Sequence, residues 1–344
     1  MSLANESSME LEKVDTGAEL KLPDAMVERL CVPGSPSVPL HLCDGRLVAA
    51  SGVSDGVTGG GYPIVDGTPI LINEEKSIFQ IEHFVKAEIT TMDLRRKEER
   101  VNTPIKKIKY FLNQITPPKS RSVTDFNSQQ ALDEVLREKP DATVLVIGAG
   151  DARFTASGGG NVVYSDVALA PDTHLIADAH DIPFQDATFD AVFAIAVLEH
   201  VADPFRTVSE IRRVLKPEGL VYSVTPFMQQ VHMGRYDFTR FTALGHRRLF
   251  NWFDECRSGV ANGPGMVITW GIEYMLSSFS ERPFLRRLLR SAARFVAWPF
   301  LLADRYLAKK AGSYDCASAY YFFGRLRDTP LHDRDIIAQY KGMN

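Results

Sequence analysis

The sequence predicts an α/β fold: a parallel sheet covered by helices on both faces, with a small β module before it. Three observations predict it. Between residues 121 and 330, short apolar segments alternate with segments of helical spacing. The apolar segments are continuous, as strands buried on both faces require. The first of them, Val144-Leu-Val-Ile147, runs directly into Gly148-Ala-Gly150, so a strand ends in a sharp turn.

Residues 1–23 are polar and acidic and read as a flexible arm. From 24 to 73, short apolar pieces (Pro39–Leu42, Arg46–Ala49, Tyr62–Val65, Pro69–Ile72) are separated by Gly, Pro, Ser and Asp. They read as a β module, with Val65-Asp66-Gly67-Thr68 as its best hairpin turn. Residues 74–120 read as a helical linker or cap. Ile78, Phe84, Val85 and Ile89 mark one helical face, and Ile105, Ile108, Leu112 and Ile115 another.

The main domain, 121–330, opens on a helix marked by Ala131, Leu132, Val135 and Leu136. Strands follow at Val144–Ile147, Asn161–Tyr164, His174–Ala177, Phe189–Val197 and Leu220–Thr225. Between the last two lies the clearest helix, capped by Asp203, with Pro204 in its first turn. Its expected buried stripe is Phe205, Val208, Ile211, Val214 and Leu215. Asp190 reads as a residue that fixes a strand start. A helical insertion is expected at about 271–312. Ser318–Arg325 is expected to return as a last, antiparallel strand, and 331–344 forms a tail.

Composition narrows the function. The 344 residues are 45% hydrophobic and 24% charged, with net charge −4, so no nucleic-acid partner is expected. Cys31, Cys43, Cys256 and Cys316 form no disulfide framework. No signal peptide and no apolar run of about 20 residues is visible, which makes a cytoplasmic protein the expectation. Arg282, Arg286, Arg287, Arg290 and Arg294 precede the apolar run Phe295–Ala303. Residues 282–303 are thus a candidate for peripheral contact with the inner face of a membrane. A helical insertion packed on the domain is the simpler alternative.

The glycine turn admits a cofactor close to the backbone, and Asp166 ends the next strand, 18 positions after Gly148. That spacing suits a carboxylate that accepts from ribose hydroxyls. Arg153 replaces the third glycine of a dinucleotide fingerprint, which disfavours a nicotinamide-dependent oxidoreductase.

Residues 144–227 resemble the class I S-adenosylmethionine (SAM)-dependent methyltransferases of the ubiquinone-biosynthesis-like, small-molecule branch. The residues that carry this are VLVIGAGDARF, Ser165-Asp166, ADAHDIPFQDATFDAVFAIAVLEHV and RRVLKPEGLVYSVTPF. The resemblance implies a Rossmann-like seven-stranded sheet and SAM as cofactor. Gly148, Ala149 and Gly150 would hold its methionine part and Asp166 its ribose. Asp178 and Ala179 would frame adenine, and the stretch from Ala194 to His200 would approach the methyl group. The string HxxxYDFTRFT at His232–Thr242 resembles a motif of methyltransferases found with glycan and polysaccharide synthesis. His200, His232 and Tyr236 are the candidate catalytic residues, and Arg240 is a candidate acceptor contact. The implied acceptor is an oxygen or nitrogen of a small molecule, such as a sugar or lipid-linked glycan. The rival is a non-catalytic protein of the same fold, serving as a scaffold or regulator.

The N-terminal module ends in YPIVDGTPILI and resembles a zinc-ribbon module that precedes many bacterial methyltransferases and glycosyltransferases. A structural zinc needs four ligands. Only Cys31, His41 and Cys43 are at hand, so no metal is expected and the module is expected to hold by packing.

Overall fold

The computed structural model of the protein describes residues 19–50, 60–86, 117–150, 154–155 and 160–343. Most of the expected arm, the helical residues Ile89, Ile105, Ile108, Leu112 and Ile115, and the loop residues Asp151, Ala152 and Arg153 lie outside the described residues.

A short helix, α1 (Asp24–Val27), leads into five strands: β1 (Cys31–Val32), β2 (Ser35–Cys43), β3 (Arg46–Ala49), β4 (Tyr62–Val65) and β5 (Thr68–Leu71). They pair antiparallel in sequence order. The β4–β5 turn is the expected one. Asp66 and Gly67 both have positive φ, 48° and 75°, as a two-residue hairpin with the twist of the strands requires. Asp44-Gly45 repeats this between β2 and β3. Helix α2 (Ile81–Val85) begins after Ile78, which therefore leaves the helical face expected for it.

The main domain contributes α3 (Ser128–Glu138), then β6 (Thr143–Ile147), β7 (Asn161–Asp166), β8 (Leu175–Ala177), β9 (Phe189–Ile195), α4 (Pro204–Val214) and β10 (Leu215–Pro226). Next come α5 (Ala243–Leu249), β11 (Phe253–Asn262), α6 (Pro264–Ser277), α7 (Pro283–Leu307), α8 (Ala311–Asp315), β12 (Ala319–Leu326) and α9 (Asp333–Ile337). The seven strands from β6 onward lie in the order β8-β7-β6-β9-β10-β12-β11. Strands β6 to β10 run parallel, and β12 is antiparallel to β10 and β11. This is the expected seven-stranded arrangement. It is enlarged, because β5 pairs in parallel with β8, Ile70 opposite Ile176, and joins all strands into one twelve-stranded sheet.

Apolar side chains from both faces of this sheet form the two largest core clusters. Asp190 ties the strand starts together. It accepts from Lys139 at 2.8 Å, Lys216 at 2.9 Å and the Thr143 N–H at 2.9 Å. In α4, Asp203 caps the helix through the Arg206 N–H, and Val208, Ile211 and Val214 are buried as expected. Phe205 is not: it is 54% exposed, and Thr207 takes its place on the buried side.

The helical insertion starts earlier than expected, at Pro264. Helices α6 and α7 pack as a hairpin through Ala293, Ala297, Leu301 and Asp304 on one side and Gly265, Met266, Thr269 and Trp270 on the other. Buried Asp304 accepts the Gly265 and Met266 N–H groups at 2.6 and 2.9 Å, so α7 satisfies the donors at the start of α6. Cys31, His41 and Cys43 belong to no group of three potential metal ligands among the described residues. Cys31 is buried and its thiol is pushed up to about 12 by that burial, whereas Cys43 is exposed.

His246 on α5 is buried beside Phe250 and Phe322, with Nε2 3.2 Å from Ser223 Oγ. Burial, aided by the Arg247 charge, pushes its pKa down to about 3, against 6.5 for a free imidazole. Between these values the unfolded chain binds a proton that the native state refuses. The contribution of this site to stability is complete above pH 6.5 and falls as the pH drops toward 3. Its slope is up to about 1.4 kcal/mol per pH unit. Urea unfolding at pH 7 and pH 5 should show His246→Leu losing less stability on acidification than the parent. An equal loss in both would remove His246 as the cause.

Candidate active site

The strand order reverses at β6, whose neighbours β7 and β9 lead away in opposite directions. At such a point the loops leaving the carboxyl ends diverge and open a crevice. A cavity of about 330 Å³ lies there. It is lined by Gly148 and Gly150 after β6, by Asp166 at the end of β7, by Asp178 and Ala179 after β8, and by Ala196 and Val197 after β9.

Gly148 has a φ of +57°, and a Cβ there would lie 2.5 Å from Val197 Cγ2. Glycine is thus required twice, by conformation and by close approach. Gly150 has a φ of +53°, and its N–H donates to Asp166 at 2.6 Å. The Val167 N–H donates to the other Asp166 oxygen, also at 2.6 Å. The carboxylate is thereby held facing the turn. Asp178 is buried. It accepts from Ser77 Oγ at 2.5 Å and from the His180 N–H at 3.0 Å, and His180 Nδ1 lies 2.6 Å from it. These bonds outweigh burial and lower its pKa.

The segment before α2 forms part of the wall. Ile78 and Phe79 line the cavity, and Phe79 stacks on Tyr236 with ring centroids 6.2 Å apart. The loop after β10 supplies His232, Met233 and Tyr236. Glu199 anchors this loop, because its backbone carbonyl accepts from the Phe238 N–H at 2.8 Å and the Thr239 N–H at 3.3 Å. Helix α6 supports the loop from outside. Tyr274 Oη donates to the Val231 carbonyl at 2.5 Å, and Trp270 meets His232 edge to face.

His200 and His232 come together, with ring centroids 4.7 Å apart. His200 Nδ1 lies 2.8 Å from the Tyr236 carbonyl, which only accepts, so Nδ1 carries a proton. His232 Nδ1 lies 3.4 Å from Asp237, which leaves its Nε2 facing inward as well. Both Nε2 atoms are 3.7 Å from Glu199 Oε1. The Glu199 side chain is 1% exposed, and neither of its oxygens has a hydrogen-bond partner. Burial pushes its pKa up to about 8. Burial and neighbouring His200 bring His232 down to about 4.

Of the residues expected in a site, Gly148, Gly150, Asp166, Asp178, Ala179, His200, His232 and Tyr236 line this one cavity. Three do not. Ala149 is buried behind the turn, with its N–H on the Ser165 carbonyl. Ala194 is inside β9 and fully buried; Ala196, two residues on and at positive φ, is the one that reaches the cavity. Arg240 is committed to the Asp237 carboxylate and to the carbonyls of Gln229, Gln230 and Thr239. It supports Asp237 and does not line the cavity. Sequence reasoning missed Ser77, Phe79 and His180, and it placed Glu199 only within the Ala194–His200 stretch, with no role of its own. Only the turn-forming spacing of Asp178 and His180 could have signalled His180.

Residues 147–223 match the methyltransferase-domain family. Over 102 residues the chain is 33% identical to an uncharacterized protein of Methanocaldococcus jannaschii, covering 27% of this chain and 45% of the other. Over 68 residues it is 34% identical to a sterol 4-C-methyltransferase of Caenorhabditis elegans, covering 19% and 20%. The chain therefore spans less than half the length of these curated relatives. Among solved structures, a phosphoethanolamine N-methyltransferase 2 of Haemonchus contortus, in complex with S-adenosylhomocysteine, is 18% identical over 70% of this chain and 61% of that one, with a TM-score of 0.37. A 1,6-didemethyltoxoflavin-N1-methyltransferase of Burkholderia thailandensis is 15% identical over 58% and 77%, with a TM-score of 0.35.

Gly148→Ala should destabilise the fold by at least the left-handed penalty of about 1–2 kcal/mol. Adding Val197→Ala should relieve the clash but not the φ strain. Urea melts of the single and double variants, coupled in a double-mutant cycle, test this. Strictly additive effects would show that Val197 does not crowd position 148.

Proposed function

We propose that the protein is a SAM-dependent methyltransferase that acts on an oxygen or nitrogen of a small molecule. The observation that carries this reading is the meeting of the Gly148–Gly150 turn with Asp166 in one cavity, inside the stretch that matches the methyltransferase domain. Asp166 lines the cavity beside the glycine turn, a placement that suits ribose hydroxyls. In the sequence, Asp151 follows this turn, and a carboxylate there suits a sulfonium cofactor better than a pyrophosphate. Asp178 and Ala179 would frame adenine. His200, His232 and Tyr236 would contact the acceptor.

Methyl transfer is an in-line displacement. The acceptor atom bonds to the methyl carbon as the carbon–sulfur bond breaks, and the electron pair stays on sulfur. Such a reaction asks the protein mainly for positioning and exclusion of water. The apolar walls and the Phe79–Tyr236 stack provide for both.

A sugar or lipid-linked glycan remains the preferred acceptor class. The α6–α7 hairpin favours the lipid-linked form. Phe284, Leu288, Phe295, Trp298, Leu302 and Tyr306 are exposed along α7, beside exposed Arg282, Arg286 and Arg287. An exposed apolar face rimmed by arginines suits an anionic bilayer surface. Through Tyr274 and Trp270 the same hairpin touches the loop that carries His232. Among the described residues no helix is long and apolar enough to cross a membrane.

Calorimetry should detect binding of SAM and S-adenosylhomocysteine but not of NAD. Asp166→Ala should weaken SAM by about 1–3 kcal/mol through lost charge-assisted bonds. Binding of NAD alone would overturn the reading. Mass spectrometry of small molecules and glycans, with and without the gene, would identify the acceptor.

Vesicle co-sedimentation addresses the hairpin. Vesicles containing anionic lipid should pull down the chain, and neutral vesicles should do so far less. A Phe295→Ser/Trp298→Ser variant should bind on the order of tenfold more weakly. Retention of full binding would leave the hairpin without a membrane role.

A further inference from the structure

We propose that Glu199, His200 and His232 form a binding site for a first-row divalent cation at the acceptor side of the cavity. Among the described residues they are the one group of three His, Cys, Asp or Glu whose ligand atoms all lie within 4.8 Å of one another. The expectation of no metal was drawn from Cys31, His41 and Cys43, which form no such group; Glu199, His200 and His232 were not weighed as ligands. The present group joins the end of β9 to the loop after β10, and only the fold brings its parts together.

Three features of the geometry support a cation. First, the Glu199 carboxyl is buried and neither oxygen accepts a hydrogen bond. A buried carboxyl without partners is costly, and such a group calls for an explanation such as a bound ion. Second, both imidazoles present Nε2 to the same Glu199 oxygen, 3.7 Å away. Two ligand atoms on one such ion sit roughly 3–3.5 Å apart, since each lies about 2.0–2.2 Å from the metal. Third, both histidines are held from the side away from Glu199. His200 Nδ1 lies 2.8 Å from the Tyr236 carbonyl, a bond of the kind that orients metal-ligating histidines. His232 is held through its backbone N–H, which donates to Asp237 at 2.9 Å, and Asp237 is itself gripped by Arg240; the ring Nδ1 stands 3.4 Å from that carboxylate, outside hydrogen-bond geometry.

One carboxylate and two imidazoles leave coordination positions open. The donor set suits Mn²⁺, Fe²⁺ or Zn²⁺ better than Ca²⁺ or Mg²⁺, which prefer oxygen ligands alone. His200 and His232 line the cavity, so an open position would face its interior. The catalytic consequence rests on the methyltransferase reading above. When bound, the ion would lower the pKa of an acceptor hydroxyl held beside Glu199, His200 and His232, so that the proton could pass to water; the acceptor oxygen would then bond to the methyl carbon as the carbon–sulfur bond broke and its electron pair stayed on sulfur. Cation binding itself does not depend on that reading.

The test uses the full chain, stripped with a chelator and then titrated with Mn²⁺ and Zn²⁺ by calorimetry, with Mn²⁺ followed also by electron paramagnetic resonance. One ion per chain should bind. Glu199→Gln, which preserves shape, should abolish binding, and Asp237→Asn should weaken it by on the order of 10–100-fold. His41→Ala, on the exposed β2 strand, should change nothing. Melting curves of each variant identify any that fails to fold, and the parent titration stands without them. No binding to the parent, or full binding to folded Glu199→Gln, would overturn the proposal. SAM titration of the same samples keeps the two readings apart. Metal binding without SAM binding would refute the cofactor reading alone, and SAM binding without metal binding would refute this one.

Discussion

The reversal of strand order at β6 is the constraint from which the site follows. Because β7 and β9 flank β6 and their connections leave in opposite directions, the carboxyl ends diverge and leave an opening no side chain need fill. The opening exists only while β6 and β9 stay in register, Ile147 beside Ala194. Asp190 secures that register at the other end, through Lys139, Lys216 and Thr143. Gly148 then lets the chain turn against Val197, and Asp166 fixes the turn by accepting from Gly150.

The N-terminal strands are part of the same body. Pairing of β5 with β8 is reinforced by Thr68 on the Thr173 carbonyl at 3.3 Å and by Asn73 on Asp181 at 3.0 Å. This brings Ser77 to Asp178 and Phe79 to Tyr236. The module therefore completes one wall of the cavity, a role different from that of a separately folded appendage.

Much of this was legible in the sequence because local patterns decide it. Continuous apolar strands, the Asp203 cap, the Asp66-Gly67 turn and the glycine turn after β6 all depend on neighbours in the chain. What was not legible depends on neighbours in space. Phe205 obeys helical spacing, but α4 turns its buried side toward Thr207. Ala194 and Ala196 differ only in where β9 ends. The sequence leaves Arg240 open between an acceptor contact and a structural pair with Asp237; the structure has it on Asp237 and on three backbone carbonyls, which the sequence does not show. Glu199 and His200 can be read from the sequence as a helix-start pair, and nothing local shows that the Glu199 side chain is buried facing His232 from the loop after β10.

The β5–β8 ladder also has a kinetic meaning. A chain made from its N-terminus produces β5 about 100 residues before β8 exists. During that interval β5 has β4 on one edge, but the edge that takes β8 at Ile70 and Leu71 is open, although both residues end fully buried. Late closure of a long-range parallel pair is slow and exposes apolar strand edge to other chains. The short length of β4 and β5, four residues each, limits the edge that waits. The same junction that builds the wall of the cavity thus sets the interval in which the nascent chain is most prone to associate with its neighbours.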